Sequence, residues 1–312
     1  MNPITDAPIT MQRVGFVGTG IMGLPMAGHQ ARAGLRVRAW NRTPAKAAPL
    51  AALGVELVAQ AREVAAGSDA VICMLSSGPA CDEVLLGPAG VISAMRPGAL
   101  LAVMSSIPVE TARQQAHAAR EHGIHYIDAP VSGGEKGARE AALAIMVGGD
   151  ASAWEMAVPL LRVMGRPTHV GPAGCGQLAK LVNQMMVAAN IASVAEAMLM
   201  AERGGADPAR VREALLGGFA DSTALRQHAL RMIQADFTPG GPAKYQLKDT
   251  HTATAMAKTL GLSLPMLNVA HGLFADMVAS GDGELDHSAI IAHLRRINAL
   301  PGSQSADINA FD

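Results

Sequence analysis

Aromatic residues are scarce in this chain: Phe, Tyr and Trp together make up 3% of 312 residues. That excludes the stacking platforms on which proteins hold single-stranded nucleic acid. Charge is also sparse, at 16% of residues, and balanced to a net −1. There is neither the basic excess of a nucleic-acid binder nor an acidic tail. The three cysteines, Cys73, Cys81 and Cys175, have no C-x-x-C or metal-ligand spacing. They read as reduced thiols of a cytoplasmic protein, which excludes a disulfide framework. His117, His122 and His125 are close in sequence but lack zinc-ligand spacing, and His271 and His287 have no helix-spaced partners. No metal site is expected. Without a G-x-S-x-G elbow or a phosphate-loop lysine motif, acyl and phosphoryl transfer have no support. The chain also lacks a charged segment followed by an apolar block near its start, as a signal peptide requires. Its most apolar stretch, Met185 to Ala201, is interrupted by Asn190, Ser193 and Glu196 and falls short of a spanning length. A buried helix and no membrane partner are expected, with Met185, Met186, Met198 and Met200 as core packing.

What is present is ample apolar surface, half of all residues, enough for two domains with substantial cores. Up to residue 174, short apolar runs alternate with amphipathic stretches. Val14–Val17, Leu35–Trp40, Ala70–Leu75, Leu100–Met104, His125–Ile127 and Leu143–Val147 are strand candidates; Thr43–Leu53 and Pro108–His122 are helical candidates. Such alternation predicts an α/β domain with a mostly parallel, doubly wound sheet over residues 12–174. The second half predicts helices alone: a long connecting helix over Gly176–Arg203, then Pro208–Leu216, Thr223–Gln234, Gln246–Leu260, Pro265–Ser280 and His287–Ile297. Asp207-Pro208 and Ser263-Leu264-Pro265 read as helix starts. An all-α domain over 175–298 is expected to complete a ligand cleft and to support oligomerisation, with 1–11 and 299–312 as disordered termini.

The run Gly18-Thr19-Gly20-Ile21-Met22-Gly23 follows the first strand and opens a helical stretch. In that setting the first glycine makes a tight turn, the second lets backbone approach a pyrophosphate, and the third lets helix pack on strand. The pattern therefore predicts a dinucleotide site. Asn41-Arg42-Thr43 ends the second strand, where an acidic residue would bind the ribose of NAD. Arg42 and Thr43 instead suit a 2′-phosphate, favouring NADP(H) with NAD(H) as the alternative; Thr43 before Pro44 is also an ordinary helix start. Asp128 to Gly134 (Asp-Ala-Pro-Val-Ser-Gly-Gly) reads either as an anion-binding nest for a substrate carboxylate, with Ser132 adding a hydroxyl, or as a plain turn. Lys180, Asn183 and Gln184 share one helix face. A lysine that loses hydration is fitted for proton transfer, and a structural salt bridge is the competing account. Lys248-Asp249 either reaches the same cleft or forms a surface pair.

Taken together, Gly15 to Ala27, Asp128 to Gly137, Gly174 to Gln184 and Lys248-Asp249 resemble the β-hydroxyacid dehydrogenases, in family order over nearly the whole chain. The resemblance implies an NAD(P)-dependent oxidoreductase acting on a short 3-hydroxy acid or its semialdehyde. Lys180 would be catalytic, and Ser132, Gly133 and Gly134 would hold the carboxylate, with Asn183 and Gln184 beside the substrate. Leu75, Ser76, Ser106 and Lys248 would line the cofactor with the glycine turn and Asn41 to Thr43. Within the family, Asn183-Gln184, Gly217 to Thr223 and Asp286 to Ala289 look most like the tartronate semialdehyde reductases, with Gln184 a candidate partner for that substrate's extra hydroxyl. Departures from the family pattern are Val103 in place of Asp, Gln184 where many members have Asn, and Gly240-Gly241-Pro242 in place of Gly-Phe. Dehydrogenases of 3-hydroxyisobutyrate, succinic semialdehyde or glyoxylate, or threonate remain alternatives on the same scaffold; a homodimer or homotetramer is expected. A non-catalytic NADP-binding scaffold is the reading from another class, and the intact Lys180 argues against it.

Overall fold

The computed structural model describes residues 11–87 and 89–299. The chain divides into two compact units, the first ending at Lys180 and the second beginning at Leu181. The division falls inside a helix, a turn and a half beyond the 174/175 boundary expected from sequence. Of the termini expected to be disordered, only Met11 and Ala299 lie among the described residues, and Met11 is buried against the first core.

In the first unit, β1 (Arg13–Val17), β2 (Arg36–Trp40), β3 (Glu56–Leu57), β4 (Ala70–Cys73), β5 (Leu100–Val103), β6 (His125–Asp128), β7 (Val131–Ser132), β8 (Leu143–Gly149) and β9 (Gly165–Gly171) form one sheet. Its order is β3-β2-β1-β4-β5-β6-β8-β7, with β9 also paired to β8. The first six strands run parallel. β8 runs antiparallel to β6 and β7 and parallel to β9. The helices are α1 (Gly23–Arg32), α2 (Gly78–Leu86), α3 (Val91–Ala94), α4 (Val109–Glu121), α5 (Gly134–Arg139) and α6 (Ala151–Arg162). Central strands are apolar on both faces (Ala70 to Cys73 and Leu100 to Val103 are all buried) because helices cover both sides. Two cores result, one around Phe16, Ile72, Leu100 and Ile127, the other around Val71, Leu101, Leu85 and Tyr126.

The sheet also holds strands the sequence did not signal. β3 and β7 are two residues each, too short for an alternating pattern, and β9 is mostly exposed, so it lacks an apolar signature. The stretch Thr43–Leu53 is two 3₁₀ segments, Pro44–Lys46 and Ala48–Leu53, rather than one α-helix. Pro49 near the start of the second removes a donor and favours a break there.

The second unit takes up α7 (Cys175–Arg203), 29 residues long, after its first six, and adds α8 (Pro208–Leu215), α9 (Thr223–Gln234), α10 (Ala243–Thr259), α11 (Pro265–Met277) and α12 (Ile290–Ile297). By length and hydropathy α7 could cross a membrane. Its Ala188, Ile191, Ala195 and Met198 instead pack with Phe274, Met277 and Ile290 in the second unit's core. The methionines of α7 divide: Met198 is core, while Met186 and Met200 are 56% and 78% exposed, contrary to the expected packing role. Asp207 caps α8 by accepting from the Ala209 N–H. The α11 cap position is Leu264, not Ser263, and has no side-chain bond.

Candidate active site

The turn between β1 and α1 lies where the strand order reverses, between β1 and β4. Ligands of open α/β sheets bind at that point, beyond the carboxyl ends of the strands. Gly18 has φ +92°, and a Cβ there would lie 2.3 Å from the Met74 carbonyl oxygen. At Gly23 a Cβ would lie 1.9 Å from the Gly18 carbonyl oxygen, so only glycine lets α1 start this close to the turn. Above Gly20, in contrast, nothing lies within 4 Å of where a Cβ would be. A tight, side-chain-free cradle at a helix N-terminus fits a dinucleotide pyrophosphate. Thr19 is buried and its Oγ1 has no hydrogen-bond partner, whereas Ile21 is exposed and Met22 half-buried.

Asn41 takes a role the sequence did not suggest. Its Oδ1 accepts from the Thr19 N–H at 3.0 Å and its Nδ2 donates to the Thr43 carbonyl, which ties the glycine turn to the end of β2. Arg42 and Thr43 are exposed beside it. Thr43 occupies the cap position before Pro44 but makes no side-chain cap bond. At the end of β4, the Leu75 N–H donates to Ser105 Oγ at 2.7 Å. Ser105, fully buried, was missed: its signal was only a hydroxyl adjacent to the exposed Ser106.

The end of β6 fixes the start of α7. Asp128 is buried and accepts from the N–H groups of Gly174 and Gln177, each at 2.7 Å. Burial pushes its carboxyl above the usual range, although those N–H groups pull it down. Gln177, also buried, accepts from the Ile107 N–H and donates to the Ser105 carbonyl. Lys180, half-buried, follows one turn later on the same helix. Ser132 is half-buried, and Gly133 and Gly134 are exposed with positive φ, 137° and 61°. The glycine turn, Asn41 to Thr43, Leu75-Ser76, Ser106, the Ser132 loop and Lys180 thus all belong to the first unit. All but Lys180 follow the carboxyl ends of its strands or, for Ser132, end β7.

The second unit gathers the remaining candidates. Gln184 Nε2 donates to Asp249 Oδ2, and Asn183 Nδ2 donates to Gln184 Oε1. Gln246, buried, donates to the Gln184 backbone carbonyl. Lys248 is exposed next to Asp249 on α10. α10 begins at Ala243, three residues before the expected Gln246.

The Gly240-Gly241-Pro242 departure has a structural account. Both Gly240 and Gly241 donate backbone N–H groups to Asp286 Oδ2, at 3.0 and 2.9 Å. A Cβ on Gly241 would lie 3.0 Å from the His287 ring. Asp286 also accepts from Ser288 N and Oγ and faces Arg231 at 3.3 Å. His228 and His287 meet edge to face beside it, centroids 4.6 Å apart. His287, without a helix-spaced partner in the sequence, meets His228 through the fold. These two rings and Asp286 lie close enough to share a metal ion. The carboxylate is already engaged by four hydrogen bonds and a guanidinium, and such a set describes a loop lock. Burial, with His228 and Arg231 nearby, lowers the His287 pKa to about 4 against the opposing pull of Asp286.

Comparison with known proteins supplies the family. Residues 13–176 match the family model described as the NAD binding domain of 6-phosphogluconate dehydrogenase, and residues 174–294 that of NAD-binding of NADP-dependent 3-hydroxyisobutyrate dehydrogenase. The chain is 45% identical over 284 residues to 2-hydroxy-3-oxopropionate reductase of Escherichia coli, covering 90% of this chain and 97% of the relative. This chain belongs to the β-hydroxyacid dehydrogenase family. Within it, the similarity is to the tartronate semialdehyde reductase branch. It is also 35% identical to 2-(hydroxymethyl)glutarate dehydrogenase of Eubacterium barkeri, over 89% of this chain and 93% of the relative. The structure of Mycobacterium tuberculosis 3-hydroxyisobutyrate dehydrogenase with L-serine matches with TM-score 0.84 and 34% identity, covering 92% of this chain and 100% of the other. The protein is therefore an NAD(P)-dependent hydroxyacid dehydrogenase or reductase acting on a small carboxylate.

Proposed function

We propose that this enzyme reduces tartronate semialdehyde (2-hydroxy-3-oxopropanoate) to glycerate, with NADPH preferred over NADH. The observation that carries the reading is the anchoring of the first turn of α7 by Asp128 and Gln177, with Lys180 one turn further along the same helix. The 45% identity to a 2-hydroxy-3-oxopropionate reductase supports the substrate. Exposed Arg42 and Thr43 after β2 support the 2′-phosphate.

A bound nicotinamide cofactor would supply the hydride for the aldehyde carbon: Gly18 to Gly23 would hold its pyrophosphate, Asn41 to Thr43 its 2′-phosphate, and Leu75, Ser76, Ser106 and Lys248 would line it. Ser132 and the backbone N–H groups of Gly133 and Gly134 hold the substrate carboxylate. Asn183 and Gln184 lie beside the substrate. Protonated Lys180 stabilises the negative charge growing on the aldehyde oxygen and transfers a proton to it, yielding the primary alcohol. Solvent then returns the proton to Lys180. In the oxidising direction neutral Lys180 accepts the hydroxyl proton.

Residues 12–174 act as the cofactor domain and 175–298 as the substrate and oligomerisation domain of a cytoplasmic homodimer or homotetramer. Exposed Met186, Met200 and Phe219 in the second unit supply apolar surface for association. The test is a set of initial rates on tartronate, succinic and methylmalonate semialdehydes and glyoxylate with NADPH and NADH in parallel, and on 3-hydroxyisobutyrate and threonate with NADP+ and NAD+. The highest kcat/KM is expected for tartronate semialdehyde with NADPH. A higher value for a substrate bearing a methyl branch would reassign the enzyme to that alternative.

A further inference from the structure

The second unit contains a relay of side chains whose orientation is set from one end. Asp249 on α10 accepts from Gln184 Nε2 at 2.5 Å. A carboxylate only accepts, so the amide must turn its NH₂ group toward it. Gln184 therefore turns Oε1 the other way, where it accepts from Asn183 Nδ2 at 2.8 Å. Asn183 is left with its own oxygen, Oδ1, facing away from the relay. A side-chain amide without such an anchor can exchange its oxygen and nitrogen by flipping and satisfy donors and acceptors alike. Here a flip of Gln184 would set NH₂ against NH₂ and oxygen against carboxylate, and a flip of Asn183 would set its oxygen against that of Gln184. Gln246, 3% exposed, bonds the Gln184 backbone carbonyl at 3.2 Å and fastens α10 to α7 at this level.

We propose that Asp249, acting through Gln184, orients Asn183 so that Oδ1 accepts from the hydroxyl on C2 of the substrate, selecting 2-hydroxy semialdehydes over those lacking that group. The inference rests on the reductase reading above. It moves the hydroxyl partner from Gln184, expected from sequence, to Asn183, because both ends of the Gln184 amide are engaged. Asp249 and Gln184 are positioning residues. A substrate with CH₂ at C2 leaves an oxygen that cannot turn away without a partner, and sites of that kind discriminate strongly.

The test compares kcat/KM for 2-hydroxy-3-oxopropanoate with that for 3-oxopropanoate, which lacks the hydroxyl. The wild-type enzyme is expected to prefer the former. Asp249→Asn and Gln184→Glu each break the donor–acceptor match, and each is expected to lower the preference about ten-fold or more. Combined, the introduced amide donates to the introduced carboxylate, which still accepts from Asn183. The double variant is expected to return the preference to within about three-fold of wild type. Gln184→Met, of similar length and uncharged, serves where a charged single variant does not fold, with the same expected loss. Taking the ratio cancels losses common to both substrates, which a merely structural role would produce. A wild-type enzyme that reduces both equally well, or single variants that lower both alike, would overturn the relay and leave the reductase reading standing. Failure of the double variant to recover while folded overturns it too. An enzyme inactive on 2-hydroxy-3-oxopropanoate but active on other semialdehydes overturns the reductase reading, and the relay with it.

Discussion

On α7, Lys180 lies one turn beyond Gln177, whose side-chain amide is bonded at both its oxygen and its nitrogen. The proposed role of Lys180 as proton donor requires a reproducible distance to the reacting oxygen, which an anchored helix supplies better than a flexible side-chain stem. Lys180→Ala is expected to lower kcat by about 10²–10⁴-fold, the usual worth of a positioned acid or base. Cofactor affinity, measured by fluorescence titration with NADPH, should stay near wild type. Turnover that survives the substitution would remove Lys180 from the mechanism. At this scale the sequence spacing that puts Asn183 and Gln184 on one helix face agrees with the hydrogen bond between them. The sequence was silent about the tie from Asn41 to the glycine turn and about Ser105 and Gln177, because an amide or hydroxyl bonded to backbone leaves no periodic signal.

Among elements, the first turn of α7 depends on a single carboxylate. Asp128→Ala would leave the Gly174 and Gln177 N–H groups buried without an acceptor, at a cost of about 2–5 kcal/mol. Urea unfolding should show a lower midpoint, and kcat should fall because the turn bearing Lys180 is no longer fixed. Asp128→Asn keeps one acceptor and should recover part of both losses. The long elements were legible in outline. β1, β4, β5 and β6 have buried apolar runs, and α4, α7 and α9 end within a residue or so of the expected positions. What escaped were short or exposed pieces, β3, β7 and β9, and the 3₁₀ character of Pro44 to Leu53. Those are set by pairing with distant segments and by proline, which local periodicity does not encode.

For the molecule as a whole, acid should act through the second unit. The His287 pKa is about 4 in the folded chain, with burial as the main cause, and that of His228 is lowered as well. Unfolded, both rings titrate near 6.5. Between about pH 6.5 and 4 the unfolded chain therefore binds more protons than the folded one, so stability falls as pH falls through that window. The full His287 contribution is present above pH 6.5 and amounts to up to about 3 kcal/mol. Asp286 is held below the usual carboxylate range: hydrogen bonds from Ser288 and Gly241 and the nearby His287 outweigh its burial, and that contribution is lost only at still lower pH. Thermal melts from pH 7.5 to 4.5 should show a falling Tm, and His287→Gln should flatten the slope.

Because the helix bearing Lys180 passes from one compact unit into the next without a break, this enzyme has no clean seam at which to be recombined. A chimera joined at Lys180/Leu181, where the units divide, would splice two parental sequences within a hydrogen-bonded turn. It would also take the lysine from one parent and Asn183 and Gln184, three and four residues on, from the other. A junction in the loop before Cys175 keeps the helix from one parent, but then Gly174 and the carboxylate of Asp128 come from the other. Under the proposed relay, exchanging specificity among relatives calls for substituting α7 and α10 as a matched set rather than trading whole domains.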